Sequence, residues 1–304
     1  MAYLRSIRPL NLLLLAYAQL LIKYSVFPAF GVTGLLPNFQ FSILVLATLS
    51  IAAGGYVIND IYDREIDRIN KPNRVWIGMA VSERRATQFY IVLTGLGVVL
   101  GFYVSHAIDK PGFASIFVVI AAALYIYTSY LKSILLVGNI AISMLVSLGL
   151  LIVPIFDLLP VTNVLNQALH QEVFILLLYY AAFAFGLNFI REIVKDLQDI
   201  DGDKNGGRNT LPIAIGRSRT VTFVWGLAVL HVIGVLTYMY GEIYARQTLV
   251  LYFLFLVVAP LLYFCVKCYG AKRKAEFAQL AIVAKIIFLT GLSSLWLYPL
   301  EGLP

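Results

Sequence analysis

Apolar runs of about 20 residues, each long enough to cross a bilayer, recur along the whole of this chain. Nine are expected, at about 9–31, 41–58, 86–105, 112–131, 134–156, 172–190, 220–241, 247–267 and 279–299. In hydrocarbon, backbone polar groups must be satisfied within the protein, and a helix does this inside each segment. Only 13% of the 304 residues are charged and 61% are hydrophobic, whereas soluble domains run near a quarter charged. A water-soluble globule is thereby excluded, and no linker divides the runs. The sequence predicts one all-α domain over residues 1–304, a polytopic membrane protein with nine transmembrane helices in a bundle.

Charge between the runs sets an expected orientation. Arg5 and Arg8 precede the first run; Arg64, Arg68, Lys71, Arg74, Arg84 and Arg85 lie between the second and third. Lys132 lies between the fourth and fifth, and Arg191, Lys195, Lys204, Arg208, Arg217 and Arg219 between the sixth and seventh. Lys267, Lys272, Arg273 and Lys274 follow the eighth. These connections hold nineteen of the 23 basic residues; the alternate loops keep Lys110 and Arg246, while Lys23 and Lys285 fall within runs. The positive-inside bias then places the N-terminus in the cytoplasm and the C-terminus outside. The net charge of +7 is explained by topology, without nucleic acid. Arg5 and Arg8 before an apolar run resemble a signal peptide, but the run is long and no small-residue cleavage site follows, so it is read as a span. Cys265 and Cys268 form a lone C-x-x-C without a second Cys or His cluster, and are read as ordinary membrane cysteines.

Against this background two acidic clusters stand out. Asp60, Asp63 and Asp67, preceded by Asn59, follow the second run; Asp196, Asp199 and Asp203 follow the sixth. Each steps by three and then four residues, which on a helix falls within an arc of about 60°. The first cluster is expected to prolong the second span, and the second to prolong the sixth until Gly202 ends it. The equivalent placement suggests two related halves, about 1–133 and 134–304. Carboxylates so gathered repel one another and need cations, and an oxygen-only ligand set suits Mg²⁺. The turn-rich stretches beyond them, Lys71–Arg74 and Gly206–Pro212, carry basic residues that suit an anion. A prenyl diphosphate has both the anionic head and the apolar tail this combination calls for. Mg²⁺, two ions, would bridge it to the acids and stabilise diphosphate as a leaving group. A cation or metabolite transporter is the rival reading, but transport acids usually lie near the bilayer midplane.

The strings Asn-Asp-x-x-Asp-x-x-x-Asp at 59–67 and Asp-x-x-Asp-x-x-x-Asp at 196–203 resemble the paired signature of the UbiA-type intramembrane prenyltransferases. The resemblance extends over nearly the full chain, with Arg8-Pro9 before the first run. It implies a nine-helix bundle with a cytoplasmic cap, an EC 2.5.1-type transferase of isoprenoid lipid biosynthesis. It implies Asn59, Asp60, Asp63, Asp196 and Asp199 as the main metal–diphosphate ligands, with Asp67 and Asp203 completing the motifs. Lys132, in Tyr127-Thr128-Ser129-Tyr130-Leu131-Lys132, would bind diphosphate, with Tyr127 or Tyr130 as its partner. Arg74, Arg191, Lys195 and Arg208 are further diphosphate candidates, and Arg8 and Asn188 pocket candidates. The wording around Asp63–Asn70 and Arg191–Asp196 is most similar to members that add a second geranylgeranyl group to geranylgeranylglyceryl phosphate. Relatives with aromatic acceptors (4-hydroxybenzoate, dihydroxynaphthoate or homogentisate) share the same core. The departure is Arg74-Val75-Trp76-Ile77-Gly78, where those members usually have an Arg-Pro-Leu-Pro-Ser-Gly turn. Asn139 is expected to make a helix–helix hydrogen bond, while Lys285 and His231 have no assigned partner.

Overall fold

The computed structural model describes residues 2–72 and 75–300. Among them, nine helices are long and apolar enough to cross a membrane: α1 (Pro9–Ala29), α2 (Asn38–Tyr62), α3 (Glu83–Ala107), α4 (Pro111–Ser129), α5 (Val137–Val161), α6 (Gln167–Asn205), α7 (Arg217–Ile243), α8 (Gln247–Tyr269) and α9 (Lys274–Leu300). All nine apolar runs of the sequence fall on these helices. α2 packs chiefly against α3, while α6 packs against α5, α7 and α9. Close approach of α2 and α3 depends on Gly97, where a Cβ would stand 2.9 Å from the Ala47 carbonyl oxygen and against the Ile51 side chain. Small residues of this kind let helix backbones meet where lipid offers no hydrophobic drive.

The two acid-bearing helix ends depart from the sequence expectation in opposite ways. α2 stops at Tyr62; Asp63 turns the chain with ψ −2, and a separate helix, Arg64–Asn70, carries Asp67. The first triplet is therefore split across two helices rather than lying on one. α6 instead runs through Gly202 to Asn205. Its 39 residues would span about 58 Å, nearly twice a hydrocarbon core of about 30 Å, so its final turns project beyond the apolar layer. Gly202 does not terminate the helix because its role is steric: a Cβ there would lie 2.6 Å from the Asn70 side-chain carbon. Termination falls to Gly206 and to Gly207, whose φ of +70° suits a residue without a Cβ.

At the opposite end of the bundle an ion pair closes the structure. Lys23 donates to Asp157 (2.6 Å) and to the Leu36 carbonyl (2.8 Å), and Asp157 also accepts from the Leu36 backbone N–H (2.6 Å). Asp157 is fully buried, so the lysine inside α1 is neutralised where it stands. His231 of α7 packs its ring 4.9 Å from that of Phe183. Cys265 and Cys268 are both free and buried.

Candidate active site

The split end of α2 and the overhanging end of α6 are tied together by Asn70. Its side chain donates to the Asp199 carbonyl (2.9 Å) and accepts from the Gly202 N–H (3.0 Å), while its own carbonyl accepts from Lys274 at the start of α9 (3.0 Å). Three elements thus meet at one buried asparagine. The resulting cap covers a cavity of about 1350 Å³ lined by all six clustered aspartates. The wall below them is apolar, with Ile51, Leu145, Val146, Leu148 and Ile152 among the lining residues.

Each acid has a partner inside the cap. Asp60 accepts from Arg8 (2.9 Å) and from the Trp76 indole N–H (2.8 Å). Asp63 accepts from Asn59 (2.8 Å), Lys132 and Arg208. Arg208 also donates to Asp203 (3.0 Å), so a single guanidinium bridges the two clusters. Lys71 pairs with Asp199 and stands 4.0 Å from Asp67. Asp196 accepts from Asn139 (2.8 Å), so the interhelical bond expected of Asn139 ends on a cluster acid. Burial alone would raise Asp63, but the Lys132 and Arg208 charges hold its carboxyl well below the usual carboxylate range. Burial raises Asp67, with Lys71 opposing.

The basic candidates divide into two groups. Lys132 and Arg208 touch the cluster acids, Lys132 also donating to Asn59 (2.8 Å). Arg191 and Lys195 instead converge on Glu192, at 3.0 and 2.8 Å. Their expected partner is a diphosphate, and Glu192 is not among the residues expected at the site. It is a buried acid three positions from Lys195, a spacing that brings charges together on a helix, and the long side chain of the adjacent Arg191 also reaches it. Asn188, one turn further into the bundle, donates to Ser143 (3.1 Å). Between the two tyrosine candidates the placement differs sharply: Tyr127 is 8% exposed and lines the cavity, whereas Tyr130 is 65% exposed and lies away from it. Arg74 lies outside the described residues. Trp76 and Asn70 were not among the sequence candidates; only their nearness to the first motif pointed to them.

The donor set suits a hard cation. Asn59 and the six aspartates offer oxygen only, and one Asp199 carboxylate oxygen is buried without a partner among the described residues. As the side chains stand, no three acidic, Cys or His groups among the described residues converge on a single metal position. The expected cage of acids is instead laced by Lys71, Lys132 and Arg208. These three cations line the same cavity as the acids, so an anion entering it meets both charges.

A family model described as the UbiA prenyltransferase family matches residues 20–296 of this chain. A digeranylgeranylglyceryl phosphate synthase from Korarchaeum cryptofilum is 32% identical over 258 residues, covering 82% of this chain and 84% of the relative. A solved structure of a digeranylgeranylglyceryl phosphate synthase superposes with a TM-score of 0.63 at 24% identity, covering 97% of this chain and 98% of that one. A UbiA homolog from Archaeoglobus fulgidus, bound to DMAPP and Mg²⁺, superposes with a TM-score of 0.60 at 16% identity, over 97% of this chain and 99% of that one.

Proposed function

We infer that this chain, which belongs to the UbiA prenyltransferase family, transfers a geranylgeranyl group from its diphosphate to geranylgeranylglyceryl phosphate and releases diphosphate. The observation that carries the reading is the cap itself: two acidic helix ends, bridged by Arg208, stand over one cavity whose deeper wall is apolar. A charged head and a long hydrocarbon tail need such a pair of environments. The acceptor follows the Korarchaeum cryptofilum relative and the motif wording.

Asn59, Asp60, Asp63 and Asp67 on one side, and Asp196, Asp199 and Asp203 on the other, would hold Mg²⁺, in our reading two ions. When bound, the metal supplies Lewis-acid stabilisation of the departing diphosphate. Lys71, Lys132 and Arg208 exchange their carboxylate partners for diphosphate oxygens, which places the leaving group against the cap. Trp76 and Arg8 hold Asp60 in position. The apolar wall keeps water from the allylic cation left behind, and the Tyr127 ring offers it an aromatic face. In this reading the cap faces the cytoplasm, as the positive-inside bias of the loops favours, where a water-borne prenyl diphosphate and Mg²⁺ would reach it.

Inverted membrane vesicles from cells expressing the chain test the reading. Given labelled geranylgeranyl diphosphate and geranylgeranylglyceryl phosphate, they should form a product heavier by one geranylgeranyl group, and right-side-out vesicles should form none. Chelation with EDTA, Asp60→Ala and Asp196→Ala should each abolish product. Turnover that survives chelation or both substitutions contradicts the proposed chemistry, and turnover in right-side-out vesicles contradicts the orientation.

A further inference from the structure

The scheme leaves a cation of the cavity wall without a role. Lys285 lies within α9 and lines the same cavity as the cap acids. Among the described residues its ammonium donates to the Asn11 side-chain oxygen (2.7 Å) and to no carboxylate. Lys23, likewise inside an apolar run, is neutralised by Asp157. A charge at membrane depth is costly and marks function when no partner is supplied. Snorkelling does not explain Lys285: Lys274, at the start of α9, is already the residue that reaches the cap. Eleven residues further on, Lys285 lies about 16 Å along the helix axis.

A second cation stands at a similar level. Arg191 precedes Asp199 by eight residues of α6, about 12 Å, and lines the same cavity. Arg191 gives one nitrogen to Glu192, while its Nε is buried without a partner among the described residues. Arg191 and Lys195 share one carboxylate, Glu192, and Lys285 bonds none among the described residues. A phosphate monoester near neutral pH carries about −1.5 to −2. Asn11, in the first turn of α1, accepts from Lys285 and keeps its amide N–H groups for an acceptor oxygen. Around this group the wall is apolar, formed by Leu10, Leu12, Ile282 and Phe288 of α1 and α9. Leu10 and Ile282 are largely exposed.

We propose that Lys285, Asn11 and Arg191 form the subsite for the acceptor's phosphate, so that Lys285 selects a phosphate-bearing lipid acceptor over the same lipid without its phosphate. The subsite rests on the acceptor reading above. It separates two anions that the cap alone would confuse: the diphosphate is held by the clustered acids through metal, and the monoester by bare cations deeper in the wall. The acceptor then lies with its phosphate against Lys285 and its hydroxyl towards the cap, where the allylic carbon is released.

The test compares geranylgeranylglyceryl phosphate with geranylgeranylglycerol in purified full-length protein. Wild type should favour the phosphate-bearing acceptor at least thirtyfold in kcat/KM. In Lys285→Gln that preference should collapse at least tenfold, mainly through the KM of the phosphate acceptor, and Lys285→Arg should restore most of it. Asn11→Ala should move the preference in the same direction, which keeps the test decisive if Lys285→Gln folds poorly. Equal losses on both acceptors, or an undiminished preference in both variants, overturn the assignment while leaving the reaction intact. A wild type that prenylates only an aromatic acceptor overturns the acceptor reading itself.

Discussion

Lys132 and Arg208 are the residues whose position depends most on what the cavity contains. Each now sits on Asp63, a buried carboxylate that would be costly to leave uncompensated. Hydrogen bonds to charged groups contribute about 1.5–3 kcal/mol, so a cation that transfers its bond to diphosphate changes affinity by roughly tenfold to a hundredfold. Lys132→Met should therefore raise the KM for prenyl diphosphate at least tenfold, with a smaller change in the KM for acceptor, read from initial rates with each substrate varied in turn. Equal changes in both would reduce Lys132 to a structural counter-ion. At this scale the acids were legible because their 3-then-4 spacing is rare in so apolar a chain. Glu192, Asn70 and Trp76 were not. Glu192 reads as one more charge in a basic stretch, and the worth of Asn70 lies in two bonds to a segment about 130 positions away.

The elements that matter most are the two helix ends, and Gly202 decides how they meet. Alanine is better than glycine inside a helix by about 1 kcal/mol, so on α6 alone Gly202→Ala would be stabilising. Against Asn70 the added methyl overpacks a buried contact, which typically costs about 1–3 kcal/mol. The second effect wins by this comparison. Gly202→Ala should lower the melting temperature in detergent and weaken diphosphate binding, and a higher melting temperature would show that the clamp is slack. The sequence places Gly202 as a stop because glycine near an acidic stretch is a common C-terminal signal. It fails here because the neighbour that requires a missing Cβ comes from the other cluster, and pairing of that kind leaves no local trace. The opposite error at Asp63 has the same origin: nothing in residues 59–67 breaks a helix, and where the chain turns Asp63 is bonded to Lys132 and Arg208, far away in sequence.

At the scale of the whole molecule, the nine helices and the coarse site were readable because lipid imposes length and apolarity on every span. Loop charge likewise singles out one end of the bundle. The side of each tyrosine, and the use of the intramembrane lysines, required tertiary structure: Lys23 finds Asp157, whereas Lys285 opens on the cavity. The proposed chemistry requires the two acidic ends to act as one binding site. Residues that act as a unit give grossly non-additive losses when removed together. The direct measurement is calorimetric binding of an unreactive geranylgeranyl thiolodiphosphate with Mg²⁺ to wild type, Asp60→Ala, Asp196→Ala and the double variant. Either single substitution should remove most of the binding, and the second should add little. Independent, additive losses would mean that the two clusters serve separate sites, and would contradict it.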